Sequence, residues 1–385
     1  MKRMGLIILA IGLFLFAQAA QADWTPAKRL TWTSGWSMSP AIAIDTSDTV
    51  HVVWEDDTPG NAEIYYKRSS DGGTVWSTAK RLTWTSCQSR NSAVAVDSNK
   101  AIHVVWEDGG EGSGQEYDIY YKRSADGGTT WGETKRLTWT ASSFSPAIAI
   151  DSDNVIHVVW VDDTPGNEEI YYKKSADGGA TWSAAKRLTW SSGISLELAI
   201  AISLSKAIHV VWEDDTPGHL EIYYKWSSDG GANWSTSKRL TWTSDAPDFP
   251  AIAADLDNGV HVVWRGNTPA NYEIYYKSSP DGGATWGGMK RFTWTSGGSH
   301  DPAIAVDFLN CIHVVWGDET PGNSEIYHKS STDGGATWST LKRLTWNSGH
   351  SGIPAIRASG ISNNIYIVWY DDTPGNFEIY YTKGN

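Results

Sequence analysis

Seven copies of one pentapeptide constrain what this chain can fold into more than any other feature does. Lys-Arg-Leu-Thr-Trp, with Phe for Leu once, begins at Lys28, Lys80, Lys135, Lys186, Lys238, Lys290 and Lys342, at spacings of 52, 55, 51, 52, 52 and 52 residues. No linker separates the copies. A length of 385 residues alone would suggest two or more domains, and it reads here as one repeated unit.

Periods of this size belong to solenoids, propellers or arrays, and the residue types inside each unit choose among them. Every unit holds four short runs of β-branched and aromatic residues, separated by clusters of Gly, Pro, Asn and Asp. In the first unit the runs are residues 40–45, 50–56, 63–69 and 76–84, designated strands A to D. Four antiparallel strands per unit make a propeller blade. The expected fold is therefore all-β, a seven-bladed β-propeller.

Between strands C and D lies Ser69-Ser-Asp-Gly-Gly-Thr-Val-Trp76, with counterparts at 124–131, 175–182, 227–234, 279–286 and 331–338. The paired glycines supply positive φ for a tight turn, Ser and Asp bond back to its amides, and Trp packs beneath. Asp71, Asp126, Asp177, Asp229, Asp281 and Asp333 are the structural aspartates of the six copies. These segments resemble the Asp box, S-x-D-G-G-x-T-W, also called the bacterial neuraminidase repeat (BNR). The chain thereby resembles the sialidase-like β-propellers over essentially all of its length after residue 22. In the first copy Thr74 and Val75 depart from the pattern and leave the turn intact.

Six boxes stand against seven A-B-C sets, because the chain ends just after the last strand C. Residues 23–32 read as the tail of a box plus a strand D, with Trp24 in the place of Trp76. A closed ring leaves no open edge, so this N-terminal strand is expected to complete blade seven. Twenty-one of the 23 tryptophans follow the same plan: seven in strand B (Trp54 to Trp369), seven ending strand D (Trp32 to Trp346), six in boxes, and Trp24, with only Trp36 and Trp226 outside it. Those on the plan are expected to fill equivalent sites between neighbouring sheets.

Lys2 and Arg3 precede an apolar run over 5–16 that ends in Ala20-Gln21-Ala22, the pattern of a signal peptide over 1–22 followed by one domain over 23–385. The apolar run is shorter than the roughly 20 residues a span needs, so a secreted or periplasmic monomer without a membrane span is expected. Loss of Lys2 and Arg3 moves the formal charge from −13 to −15. That balance argues against nucleic acid as a partner. Cys87 and Cys311, in distant repeats, are not expected to pair.

Strand B carries His51, His103, His157, His209, His261 and His313, each in a different blade, where metal sites need convergent donors. They read as hydrogen-bonded inter-blade residues, and no metal or other cofactor is expected. The acidic loops of the type Glu55-Asp-Asp-Thr-Pro-Gly-Asn61 are the one place where calcium comes into question. Their adjacent carboxylates fit turn caps better, and Thr-Pro-Gly-Asn reads as a type II turn.

The D-to-A loop ends differ from blade to blade, so the framework does not dictate them. Trp36, Arg90, Phe144, Asp248, His300 and Arg357 are the expected ligand-binding residues, since variable side chains on a rigid repeat are where binding resides. The leading expectation is a non-catalytic binder of glycans or proteins, with a structural scaffold as a further alternative. The family resemblance also implies a sialidase, whose substrate carboxylate meets three arginines beside a Tyr/Glu pair. Arg90, Arg265 and Arg357 stand outside the repeat. Against this, the F/Y-R-I-P motif of that family is absent, its active members have six blades, and thirteen of seventeen tyrosines belong to the Ile-Tyr-Tyr strand pattern. No catalytic residue is assigned.

Overall fold

The structure, a computed structural model, describes residues 24–109, 116–139, 142–243 and 245–385; the expected signal peptide lies outside the described residues. Seven four-stranded antiparallel sheets follow one another. Blade 1 comprises Ser37–Ile44 (A), Val50–Asp56 (B), Glu63–Ser69 (C) and Lys80–Arg81 (D). Consecutive A strands lie side by side from blade 1 round to blade 7 and back, so they form the innermost ring.

Ring closure follows the expectation. Lys28–Arg29 pairs antiparallel with Glu378–Gly384, placing Lys28 opposite Tyr381 and Arg29 opposite Tyr380. Blade 7 thus takes its outer strand from the other end of the chain.

Strand D differs from its expected extent of 76–84. Only two residues per blade join the ladder; beyond them Leu82 N donates to Ile64 O at 2.7 Å, and the return bond is made by a side chain, Thr83 Oγ1 accepting from Ile64 N at 2.9 Å. The Lys-Arg pair works inward. Six of the arginines pair at 2.5–2.9 Å with a fully buried glutamate at the start of strand C, as Arg81 does with Glu63. Arg136 pairs likewise with Asp118.

Blade-on-blade packing supplies the core. Strand B is buried along its whole length in five blades and along most of it in blades 5 and 7, and each strand-B tryptophan is at most 1 % exposed. Apolar clusters span each junction, for instance Val53, Ile64 and Leu82 of blade 1 against Val104 and Trp106 of blade 2.

Polar bolts cross the same junctions on the box face. In five blades the histidine Nδ1 lies 2.7–2.8 Å from a strand-C tyrosine hydroxyl. That hydroxyl in turn reaches the first glycine carbonyl of the next blade's Asp box at 3.1–3.5 Å. The box is built as expected: Ser Oγ accepts from the second glycine N at 2.8–2.9 Å, and the aspartate accepts from the amide four residues on at 2.7–2.9 Å. A Cβ on the second glycine would lie 1.9–2.4 Å from the tyrosine ring or its hydroxyl, so no other residue fits there.

The acidic loops close one residue earlier than a type II Thr-Pro-Gly-Asn turn requires. Gly60 N donates to Asp57 O at 2.8 Å, with Gly60 at φ 107°. Asp56 accepts from Ser37 Oγ and Thr58 N, and Asp57 from Trp36 N, so both carboxylates tie the loop to the preceding crossover.

Candidate functional site

Two regions stand out, the outer blade junctions and the mouth of the axial channel.

At the junctions the structure departs from the sequence reading. The tryptophans that end strand D do not fill sites between sheets: Trp32, Trp84, Trp139, Trp190, Trp242, Trp294 and Trp346 are each 67–69 % exposed. An indole in water is unfavourable, and seven equivalent ones signal a purpose beyond packing. Each is flanked by the arginine three residues before it, with Cζ 5.5–5.9 Å from the ring centre. Five also meet a strand-C lysine of the following blade at 5.4–5.5 Å. These cations are themselves anchored: Arg81 in the Glu63 pair, Lys122 by donating to Leu82 O at 2.7 Å. The indoles are held rigidly while most of each surface stays free.

Beside Trp84 a cavity of about 280 Å³ opens between Thr83 and Thr85 of blade 1 and Trp106, Asp108, Tyr120 and Lys122 of blade 2. The equivalent space between blades 6 and 7 measures about 520 Å³ and includes Trp346, Trp369, Asp371 and Tyr380. In sequence these tryptophans are indistinguishable from the buried set, since both recur once per unit. The signal that separates them is the adjacent Lys-Arg pair.

The axial mouth is variable. A β-bulge interrupts every strand A, and one residue in each adopts left-handed φ between 41° and 51°: Ser39, Asn91, Ser145, Glu197, Phe249, Asp301 and Ile353. Such backbone costs of order 1–3 kcal/mol per residue outside glycine, most for a β-branched side chain such as Ile353. The seven residues and their successors line a single cavity of about 400 Å³. Bulges re-aim side chains, and here they aim seven, of six different types, at one opening.

Carboxyl groups crowd this opening. Glu55 accepts from Ser39 Oγ at 3.1 Å and Asn91 N at 3.3 Å, and Glu107 from Asn91 Nδ2 at 2.9 Å and Ser145 N at 2.7 Å. Burial pushes both carboxyls up from their ordinary range, and the charge of Arg90 pulls both down. Glu213 is pushed up to about 8 by burial, then by the charges of Glu197 and Asp248. Glu197 is raised by burial and by Asp248 and Asp301. Glu213 therefore holds its proton at neutrality and acts there as a donor as well as an acceptor.

The six residues expected to bind ligand divide between the two ends of the channel. Trp36 is exposed, edge-on to Phe377 at 5.6 Å, and Arg90 is exposed beside Glu55 and Glu107. Phe144 packs partly into the junction with Val161. Asp248 forms a two-pronged ion pair with Arg265, whose guanidinium sits between Phe249 and Tyr272 at 4.7 and 4.4 Å. His300 lies 3.3 Å from Asp301 and over Gly317, where a Cβ would come within 2.8 Å of the ring. Arg357, an exposed side chain on the innermost strand, pairs in register with Tyr366, one step from the turn at the opposite end. From Ile353 that is four residues, about 13 Å along the strand. Arg90, Arg265 and Arg357 therefore do not gather round one carboxylate.

Residues 37–213 match the model of a BNR repeat-containing family. No curated protein matches the sequence. Among solved structures, a polysaccharide lyase described as an ulvan lyase, in a complex with a GlcA(1-4)Rha3S chain, shares the fold at a TM-score of 0.65, with 11 % identity over 92 % of this chain and 95 % of its own. A Hadza microbial sialidase aligns at a TM-score of 0.56 and 16 % identity, over 89 % of this chain, which spans 65 % of that enzyme. A protein of unknown function from Dyadobacter fermentans aligns at 0.56 and 16 %, over 78 % of this chain and 95 % of its own. At these identities the likeness is one of fold.

Proposed function

For a chain that is a BNR-repeat β-propeller of the sialidase-like kind, we propose an exported, non-catalytic carbohydrate binder that presents one sugar platform per blade junction. The observation that carries this is the set of seven exposed tryptophans, each flanked by an arginine and five of them also by a lysine, with a cavity of hydroxyl, carboxylate and ammonium groups beside Trp84. A pyranose stacks its C–H face on an indole and hydrogen-bonds around its rim, which is the mix these junctions offer. Seven similar weak sites on a rigid ring raise avidity for a repetitive glycan by about 10²–10⁴ over one site. The GlcA-Rha3S chain held by a propeller of the same fold favours a saccharide over a peptide.

The axial mouth supports a second, smaller role. Its ring of re-aimed side chains with Trp36, Arg90, Phe144, Asp248 and His300 suits one small uncharged polar ligand, because a carboxyl raised to about 8, as Glu213 is, offers hydrogen bonds without a charge. The placement of the arginines speaks against sialidase chemistry there. Arg265 is committed to Asp248, and Arg357 lies toward the other opening.

A glycan array read beside a fluorogenic sialidase assay tests the proposal. The expected result is binding that rises steeply with glycan density and no release of fluorophore. Turnover in the sialidase assay, or binding independent of density, would overturn it.

A further inference from the structure

One blade departs from the others where no sugar site is involved. In five blades an aspartate at the turn after strand A accepts backbone amides with one oxygen and lies 3.0–3.7 Å from the strand-B histidine Nε2 with the other. The residue two before that histidine is Thr49, Ala101, Val155 or Gly259 in blades 1, 2, 3 and 5, and Cys311 in blade 6. The strand-C residue beside the histidine is tyrosine elsewhere, and His328 in blade 6. The position paired with the histidine is Arg68, Arg123 or Lys174 in blades 1 to 3, and Ser330 in blade 6, as Ser278 in blade 5. A thiol and an imidazole have been added and a cation is missing at one place.

The ligand atoms of Asp307, Cys311 and His313 lie within 4.8 Å of one another, and this is the one such cluster among the described residues. Asp307 and His313 are buried, and their Oδ2 and Nε2 are 3.4 Å apart. That separation matches the edge of a tetrahedron with metal-ligand bonds of about 2.1 Å. His328 Nε2 lies 3.1 Å from His313 Nδ1 on the far side of the ring. Trp24, from the segment that closes the ring, packs edge-on against His328 at 5.0 Å.

We propose that blade 6 binds one divalent transition-metal ion, zinc foremost, through the Asp307 carboxylate, the Cys311 thiolate and His313 Nε2. One carboxylate and one thiolate neutralise a dication, and the imidazole adds no charge, so the buried complex is neutral. A thiolate in the set selects against calcium and magnesium, which take oxygen ligands. His328 is a positioning residue: with Nε2 of His313 on the metal, its Nδ1 carries the proton and donates it to His328 Nε2, which fixes the ring. Binding displaces the thiol proton to solvent. Because Trp24 covers His328, the ion also fastens the junction where the ring closes.

The full-length protein, stripped with a chelator and dialysed, is titrated with Co²⁺ and then Zn²⁺. One Co²⁺ per chain should bind with a thiolate-to-cobalt charge-transfer band, Zn²⁺ should displace it, and Zn²⁺ should raise the melting temperature. Cys311→Ala places there the residue that blade 2 carries as Ala101, so the variant folds; it should lose the band and bind at least about tenfold more weakly. His328→Tyr restores the residue of the other blades and should weaken Zn²⁺ binding about tenfold while the band, from Cys311, persists at saturation. Cys87→Ser should behave as the parent. A parent protein without the band, or a band that survives Cys311→Ala, overturns the proposal.

Discussion

At the blade junctions the same residues recur seven times with the same exposure, and at the axial mouth six different residue types share one strained backbone position across the seven blades. The two regions use the repeat in opposite ways. A junction site gains from uniformity, because identical platforms on a ring add their weak affinities for a repetitive ligand. A mouth gains from variety, because seven side chains of six types meet at one opening and make a single asymmetric site. The strained φ values show that the fold spends stability to keep the mouth pointing inward, while the junction indoles need only cation bracing.

The comparison presupposes a closed ring, and opening it is the most drastic test. A chain beginning after Trp32 leaves strand C of blade 7 unpaired, and it should aggregate or melt far below the parent by calorimetry. An unchanged melt would refute closure by Lys28–Arg29.

Next in size is the junction test. Replacing Trp84, Trp139 and Trp190 together by Ala should lower avidity on a dense glycan surface by about two orders of magnitude, with the melting temperature held, since these indoles contribute little burial. Trp36→Ala with Arg90→Ala should leave that avidity nearly intact. If the mouth pair abolishes glycan binding and the junction set does not, the roles of the two regions are reversed.

A pH series sharpens the mouth. The Glu213 carboxyl is raised from 4.5 to about 8, so the folded state holds a proton that the unfolded state has released across that window. Its contribution to stability is fully present below about pH 4.5 and lost as pH rises through 8. Glu213→Gln should flatten the fall in melting temperature between pH 5 and pH 9, and an unchanged slope would place the titration elsewhere.

The smallest effect belongs to the box face. Hydrogen bonds from Thr181 and Ser175 hold the Asp177 carboxyl down at about 2. Its contribution is present above about pH 4 and lost as pH falls through 2. Asp177→Ala should give a modest drop in melting temperature at pH 7 and leave glycan binding at both regions untouched. Loss of binding without loss of stability would mean that boxes touch ligand.

Much of the fold was legible because each unit restates it. The spacing of the Lys-Arg pentapeptides, the Gly-Gly turns and the count of six boxes against seven strand sets sufficed for the blade number and for the strand borrowed from the N-terminus. Trp84 was not legible. It shares its period with Trp106, and a period records only that two residues occupy equivalent places, without recording whether a place faces a neighbour or water. Strand D was overextended for a related reason, since a threonine hydroxyl can stand in for a ladder bond and the sequence pattern looks alike either way.

What the sequence by itself determined is local and repeated: the turns that need positive φ, the alternation that makes strands, and the closure arithmetic, all of which act between residues close in the chain or in identical units. Only the tertiary structure decided which residues meet across the ring. The seven left-handed residues lie some fifty positions apart and converge because the A strands are innermost. His328 comes behind His313, and so behind the local Asp307, Cys311 and His313 cluster, because strand C folds against strand B. Long-range juxtaposition is set by how blades pack, and packing depends on the summed burial of whole sheets, which no local pattern encodes.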